Sequence, residues 1–301
     1  MRFSGIIIAS GAGRRASILL MDSQYPPLLP ADPPAGTAMA PPAQPDRPGR
    51  ISGTALVGGV HLSNGVVGTG SWWRLALTGL AFPAITIGGS ALALVLAAVA
   101  QHLSGRPLIA LWAKAAITMP GPERALWETF FRVATLLGAL VAMRLSPIAG
   151  YHAAEHKVVH AIEQFGDVTW EAARRMPRAH LRCGTCLVSP LLLAMVLWPA
   201  CALLGPPGQV LLLVALWTLR RPLGVALQNL ATTREPNDRQ MRVGLAAGRK
   251  LMHLWRLAPR ATVPPIRALW NRGLPQMVAG LVAAMIIANL LEGCWFRLLD
   301  W

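Results

Sequence analysis

The sequence predicts an all-α fold of the multi-pass membrane type, with about four to five transmembrane helices and helical loops on the cytoplasmic side. Three observations lead there. Apolar residues make up 54% of the chain and charged residues only 14%, against roughly 25% charged in an ordinary soluble domain, and the mean hydropathy is +0.46. Apolar runs of membrane-crossing length recur along the chain. Basic residues outnumber acidic ones 28 to 13, for a net charge of +15, and they sit in the segments between those runs. There they read as orientation signals and as contacts for anionic lipid head groups. No aromatic-interleaved basic patch or nucleic-acid motif accompanies them, so the expected partner is the lipid bilayer and not nucleic acid.

In chain order, residues 1–70 read as a flexible, Pro/Ala-rich cytoplasmic tail. Ile6–Ile8 is too short for a signal-peptide core, and residues 24–48 offer little to pack. Residues 71–273 form the membrane domain. Its first span, Leu75–Ala100, is free of charge despite Pro83 and Gly88-Gly89. The second, Leu126–Ser146, carries Glu128, Arg132 and Arg144, and Glu128 and Arg132 are four apart and placed to pair. Thr185–Leu219 reads as a helical hairpin broken at Gly205-Pro206-Pro207-Gly208, with a second arm that starts early, runs short or is re-entrant. Residues 274–301 supply a C-terminal transmembrane helix. Eleven Lys and Arg residues in 220–272, against none in the 205–208 turn, put the 220–273 segment, the 150–183 loop and the N-terminus in the cytoplasm, with the C-terminus outside.

The 150–183 loop carries the chemistry. In Tyr151-His152-Ala153-Ala154-Glu155-His156-Lys157, followed by His160 and Glu163, a helix places His152, His156 and His160 at about 0°, 40° and 80°, Glu155 near −60° and Glu163 near 20°. All five share one face. His-x-x-Glu-His mirrors the zincin His-Glu-x-x-His pattern: two imidazoles one turn apart hold a divalent transition metal, most simply zinc, and the glutamate acts on a coordinated water. His152 and His156 are the expected ligand pair and Glu155 the expected base. Glu163 lies about 10 Å beyond His156 along the axis, which leaves it and His160 as supporting or alternative groups.

Two further runs bear on this face. His180-x-x-Cys183-x-x-Cys186 offers nitrogen and sulfur ligands, so His180 or Cys183 completes the shell; the Cys-x-x-Cys unit is either a metal half-site or a redox pair. Between the runs, Thr169 is placed to cap a short helix that ends before Pro177. The third run, Leu230 to Gln240, reads either as a plain helix start, capped at Thr233 or a neighbour with Pro236 in its first turn, or as the source of further site groups: Glu235 or Asp238 as a carboxylate ligand, Arg234 as an anion anchor.

These three runs, in this order and with a hydrophobic hairpin between the second and third, resemble the domain of unknown function 1385 family, the YqhQ-like bacterial membrane proteins. Tyr151, His152, Glu155, His156 and Lys157 match its Tyr-His-Gly-Ala-Glu-His-Lys motif. His180, Arg182, Cys183, Gly184 and Thr185 match His-Pro-Arg-Cys-Gly-Thr, and Thr232 to Pro236 with Asp238 match Thr-Thr-Arg-Glu-Pro-Asp-Asp. The resemblance implies a multi-pass protein of the cell inner membrane, described as a metal-dependent enzyme, with no reaction attached. Two departures stand out: Gly58 and Ser63 fall where an early family segment has Glu and Arg, and Cys186 replaces a Ser or Asn. The function expected from these residues is a metal-dependent, hydrolase-like enzyme at the cytoplasmic membrane face. The alternative is a non-catalytic metal-binding membrane protein, such as a sensor, an assembly factor or a transporter component.

Overall fold

A computed structural model describes residues 48–105, 107–110, 121–166, 168–259 and 261–299. Residues 1–47 of the expected tail lie outside the described residues. The remainder of that segment differs from a tail. Strands β1 (Ser52–Leu56) and β2 (Gly59–Ser63) form an antiparallel hairpin in register Ser52↔Ser63 to Leu56↔Gly59. Its two-residue turn places Gly58 at φ +78°, a conformation that glycine adopts without a Cβ clash. Every residue of β2 is buried. The architecture is thus mostly helical with one small sheet, because five-residue strands containing Gly and Ser leave too short a period-two pattern to stand out in the sequence.

The helices fall into two sets. Helices α1 (Trp72–Ser104), α2 (Gly121–Leu145) and α5 (Thr185–Ala202) are each long and apolar enough to cross a membrane. Two bent pairs reach that length together, which raises the number of candidate spans among the described residues from three to as many as five. One joins α6 (Gly205–Thr218) to α7 (Arg220–Leu227) and its continuation to Thr232, bent by 67°; the other joins α9 (Pro265–Asn271) to α10 (Leu274–Leu299), bent by 63°. The hairpin expected over Thr185–Leu219 is present as α5 and α6, and its second arm is only 14 residues long. Just 11% of the most apolar stretch of α1, and the same share of α2, is buried. Leu77, Ile87, Leu96, Leu126, Leu137 and Val141 face outward, whereas Leu75 and Phe131 are buried.

Close packing among these helices depends on glycine. In α1, Gly89 lies against the α2 backbone at Ala139, and Gly138 of α2 faces the Gly89 carbonyl. On another face of α1, Gly280 of α10 meets the Ala76 carbonyl. A Cβ at any of these positions would overlap backbone atoms, so the interfaces exist only because nothing projects there. Glu128 of α2 pairs with Arg124 at 2.7 Å and with Arg132 at 3.6 Å, and Arg132 donates to the Met195 carbonyl of α5 at 2.9 Å.

The second set holds the conventional core. Helix α3 (Pro147–Phe165) lies between the β-hairpin, the short α4 (Trp170–Arg175) and α8 (Asp238–Leu257), burying Leu62, Val158, Ile162, Ala173, Leu245 and Leu251. Thr169 caps α4 by accepting from the Ala172 amide. The start of α8 differs from the expectation of a Thr233 cap: Asn237 is the cap, in a reciprocal capping box with Gln240. Thr233 is instead buried, with its hydroxyl donated to the Gln228 carbonyl.

Replacing Gly89 or Gly280 by Leu drives a side chain into backbone. Each variant is expected to lose about 1–3 kcal/mol or more of stability, read as a lower thermal midpoint of the purified protein, while Gly88→Leu, where a Cβ meets nothing within 4 Å, leaves the midpoint near wild type.

Candidate functional site

Helix α3 starts with Pro147 at its first position, where a missing N–H costs nothing, and ends at Gly166 in a left-handed C-cap. Small residues at Ala149, Ala153, Ala154 and Ala161 let its neighbours approach, so Glu155, His156 and Lys157 are all buried. Polar groups at this depth need partners. Lys157 finds them in the Glu235 carboxylate at 2.9 Å and the Arg174 carbonyl at 3.1 Å.

The two histidines are oriented by backbone. His152 Nδ1 lies 2.9 Å from the Thr232 carbonyl and His156 Nδ1 lies 2.6 Å from the Arg178 carbonyl. A carbonyl only accepts, so Nδ1 carries a proton in both rings, which leaves Nε2 as the atom able to offer a lone pair to an ion. Both Nε2 atoms face Glu155, whose Oε2 is 3.9 Å from each. Cys183 Sγ stands 3.3 Å from His152 Nε2, and ligand atoms of His152, His156 and Cys183 all lie within 4.8 Å of one another.

Thr232 reaches His152 through an unusual turn. After α7 the chain runs through a π-helical turn, Gln228–Thr232, closed by the Thr233 amide donating to the Gln228 carbonyl at 2.9 Å. Arg144 of α2 donates to the carbonyls of Asn229 and Thr233. Gln228 is fully buried and clamps the second motif, accepting from the His180 amide at 2.7 Å and donating to its carbonyl at 3.2 Å. β1 closes the opposite side: a Cβ on Gly53 would occupy the Glu155 carboxyl group itself.

Burial sets the electrostatics. It raises Glu155 to about 8, partly offset by His152 and reinforced by Cys183. Burial also pushes His156 well below the usual histidine range, with His152 adding to the effect, and it raises the Cys183 thiol.

The expected site residues divide into two groups. His180 does not join His152 and His156 but sits with His160 and Glu163, their ligand atoms within 4.8 Å of one another. The chemistry of this second group differs. His180 Nδ1 accepts from the Arg182 amide at 3.1 Å, so its Nε2 carries the proton toward Glu163 at 3.4 Å. Glu163 also pairs with Arg182, and His160 Nε2 donates to the Ala179 carbonyl at 3.0 Å. His180 Nε2 and the Glu163 carboxylate are already engaged with each other and with Arg182, whereas the first group brings His152 Nε2, His156 Nε2 and the Cys183 thiol together at one place. That donor set fits a borderline-soft ion such as zinc, with a fourth position left over.

The remaining expected residues serve elsewhere. Cys186 is buried against Gly224 and accepts from Gln228 Nε2 at 3.4 Å, so the Cys-x-x-Cys pair does not present two sulfurs to one ion. Both cysteines are free thiols. Glu235 holds Lys157, Asp238 is exposed in the first turn of α8, and the Arg234 amide donates to the Ala149 carbonyl at 2.9 Å. Sequence reasoning missed Gly53, Gln228 and the carbonyls of Thr232 and Arg178; main-chain groups have no residue-type signature, and nothing local marks the glycine or the glutamine.

The family model described as protein of unknown function (DUF1385) matches residues 83–220. The chain is similar to this family. The matched stretch takes in His152, Glu155, His156, His180 and Cys183 and stops before Thr232. An uncharacterized protein YqhQ of Bacillus subtilis (strain 168) is 28% identical over 166 residues, 46% of this chain and 52% of that protein. The chain thus spans about half the length of this curated relative. Together the two matches support the family that the three motifs resemble. No solved structure matches the chain.

Purified without chelator, the protein is expected to carry about one equivalent of a zinc-type ion. His152→Ala, His156→Ala and Cys183→Ala should each abolish it, and His180→Ala should leave it in place, as read by elemental analysis. In chelated protein, a folded-state value for Glu155 above the unfolded value of 4.5 means that its contribution to stability is full below 4.5 and is lost as pH rises toward about 8. Glu155→Gln should therefore flatten the decline of the thermal midpoint across that window.

Proposed function

We propose that this protein is a membrane-embedded, metal-dependent hydrolase whose ion is held by His152, His156 and Cys183. The single observation that carries the reading is the paired Nδ1–H to carbonyl contact, at 2.9 and 2.6 Å, which turns both Nε2 lone pairs toward Cys183 and Glu155. Outer contacts of this kind fix tautomer and ring orientation in metal-binding histidines. The membrane setting is supported by three to five candidate spans with outward apolar faces. The Arg-rich 220–272 segment supports placing the site at the cytoplasmic face of the cell membrane, next to anionic head groups.

A bound zinc-type ion supplies Lewis acidity and lowers the pKa of a coordinated water. Glu155, 3.9 Å from both Nε2 atoms, would in its charged form be the group placed to take up a proton there and return it to the leaving group. Gly53 and the β-hairpin keep bulk water from the carboxyl, and Thr232 and Arg178 hold the imidazoles in the tautomer the ion needs.

One observation favours a second reading. A carboxylate equidistant from both histidines is also placed to become a fourth ligand, and a closed shell of His, His, Cys and Glu is a structural or sensing site without a position for substrate. The two readings separate on one variant. With metal-loaded protein and a panel of ester, phosphoester and amide reporters, Glu155→Gln should retain the ion and lose turnover by about a hundredfold or more. Loss of the ion in that variant, with no turnover by wild type, establishes the closed shell instead.

A further inference from the structure

The His152–Glu155–Cys183 site forms one end of a cavity of about 830 Å³ that runs between α1, α2 and α5 and reaches α10. Phe82 and Ile85 of α1, Leu136 and Leu140 of α2, and Val188 and Leu192 of α5 line its length. Along α2 it extends from Glu128 to Met143, about 22 Å at the helical rise, which is most of the thickness of a bilayer's hydrocarbon. Along most of its length the polar wall groups are few and several are already committed, while at the α3 end the buried Thr232 hydroxyl has no hydrogen-bond partner among the described residues. Thr78 donates to the Arg74 carbonyl and accepts from the Val57 amide, Thr86 donates to the Phe82 carbonyl, and Arg132 is spent on Glu128 and Met195.

This pattern selects an occupant. A peptide or a sugar lying along the cavity would bring more backbone or hydroxyl groups than the largely apolar wall can partner, each unpaired group costing on the order of 1–3 kcal/mol. A hydrocarbon chain brings none and gains from burial along the whole wall. The dimensions suit one extended chain, and the polar groups at the α3 end suit one polar linkage. We propose that the cavity holds the hydrocarbon chain of a lipid-type amphiphile and positions the linkage to its head group at His152, His156, Cys183 and Glu155. This inference rests on the hydrolase reading above and adds the substrate class to it. For an acyl ester the reaction balances as water addition: the acyl C–O bond breaks, the hydroxyl goes to the acyl carbon, and the proton goes through Glu155 to the departing alcohol.

The test compares metal-loaded protein on p-nitrophenyl palmitate and p-nitrophenyl acetate, together with photolabelling by a diazirine-bearing palmitoyl ester. Wild type should prefer the long chain by about tenfold or more in kcat/KM, and label should map to α1, α2 and α5 residues of the cavity and be displaced by excess palmitate. Leu136→Trp and Leu192→Trp, which fill the cavity away from the ligands, should erase both the preference and the label while keeping metal content. Palmitate displacement in wild type keeps the test decisive if either variant fails to fold. Equal turnover of both esters with undisplaced label overturns the lipid inference and leaves the hydrolase reading intact. Displaceable cavity label with no turnover of either ester upholds the binding inference and sinks hydrolysis. Label spread over the outer faces of the helices, unaffected by palmitate, identifies bulk lipid only and overturns the proposal.

Discussion

A carboxyl group buried between two imidazoles is the constraint on which the rest of this structure depends. Placing Glu155 in the interior is unfavourable unless something there values a negative charge or the proton is kept. Much of the surrounding architecture can be understood as what makes that burial sustainable. The hairpin comes close enough to exclude water only because Gly53 has no side chain, and β2 is anchored in turn by α8. Burial disfavours the charged form of His156, so that ring offers the carboxyl no compensating cation. An added ion answers all of these demands together, satisfying two lone pairs, a thiol and a carboxyl that otherwise face one another.

Hydrogen-bond direction, more than proximity, distinguishes the two histidine clusters. Tilted rings follow one another along α3 and the second motif, with His152–His156 and His160–His180 centroids each 4.4 Å apart and His156–His180 at 5.8 Å. Distance alone would make two equivalent sites. The amide of Arg182 breaks the equivalence by donating to His180 Nδ1. That single bond moves the ring proton to Nε2 and turns a possible donor atom into half of an ion-paired network with Glu163. His152 and His156 are oriented by carbonyls and His180 by an amide, and that difference in main-chain polarity is what commits His180 to Glu163.

Much of this was legible in the sequence, for identifiable reasons. Charge-free runs and helical periodicity are properties of residue types, so the apolar helices, the α5–α6 hairpin and the shared face of His152, Glu155 and His156 could be read directly. The choice between His180 and Cys183 could not. Both lie in a short non-helical stretch whose path is fixed by Gln228, 48 positions away from His180. The hairpin within residues 48–70 escaped notice because its strands are short and its value lies in contacts with α3 and α8. Cys186 looked like a partner of Cys183 by spacing, yet α5 begins between them and turns one sulfur toward the site and the other into a helix interface.

The π-helical turn at Gln228–Thr232 carries a consequence of its own. Such turns hold one residue more than an α-helical turn closes over, and here the extra residue delivers the Thr232 carbonyl to His152 while Gln228 faces the second motif. Removing any one residue from it would allow an ordinary helix to form and would rotate everything beyond by about 100°, carrying the carbonyl away from the ring. Point substitutions at Leu230, which is exposed, have no such leverage. At this position the site depends on the length of the chain more than on its lettering.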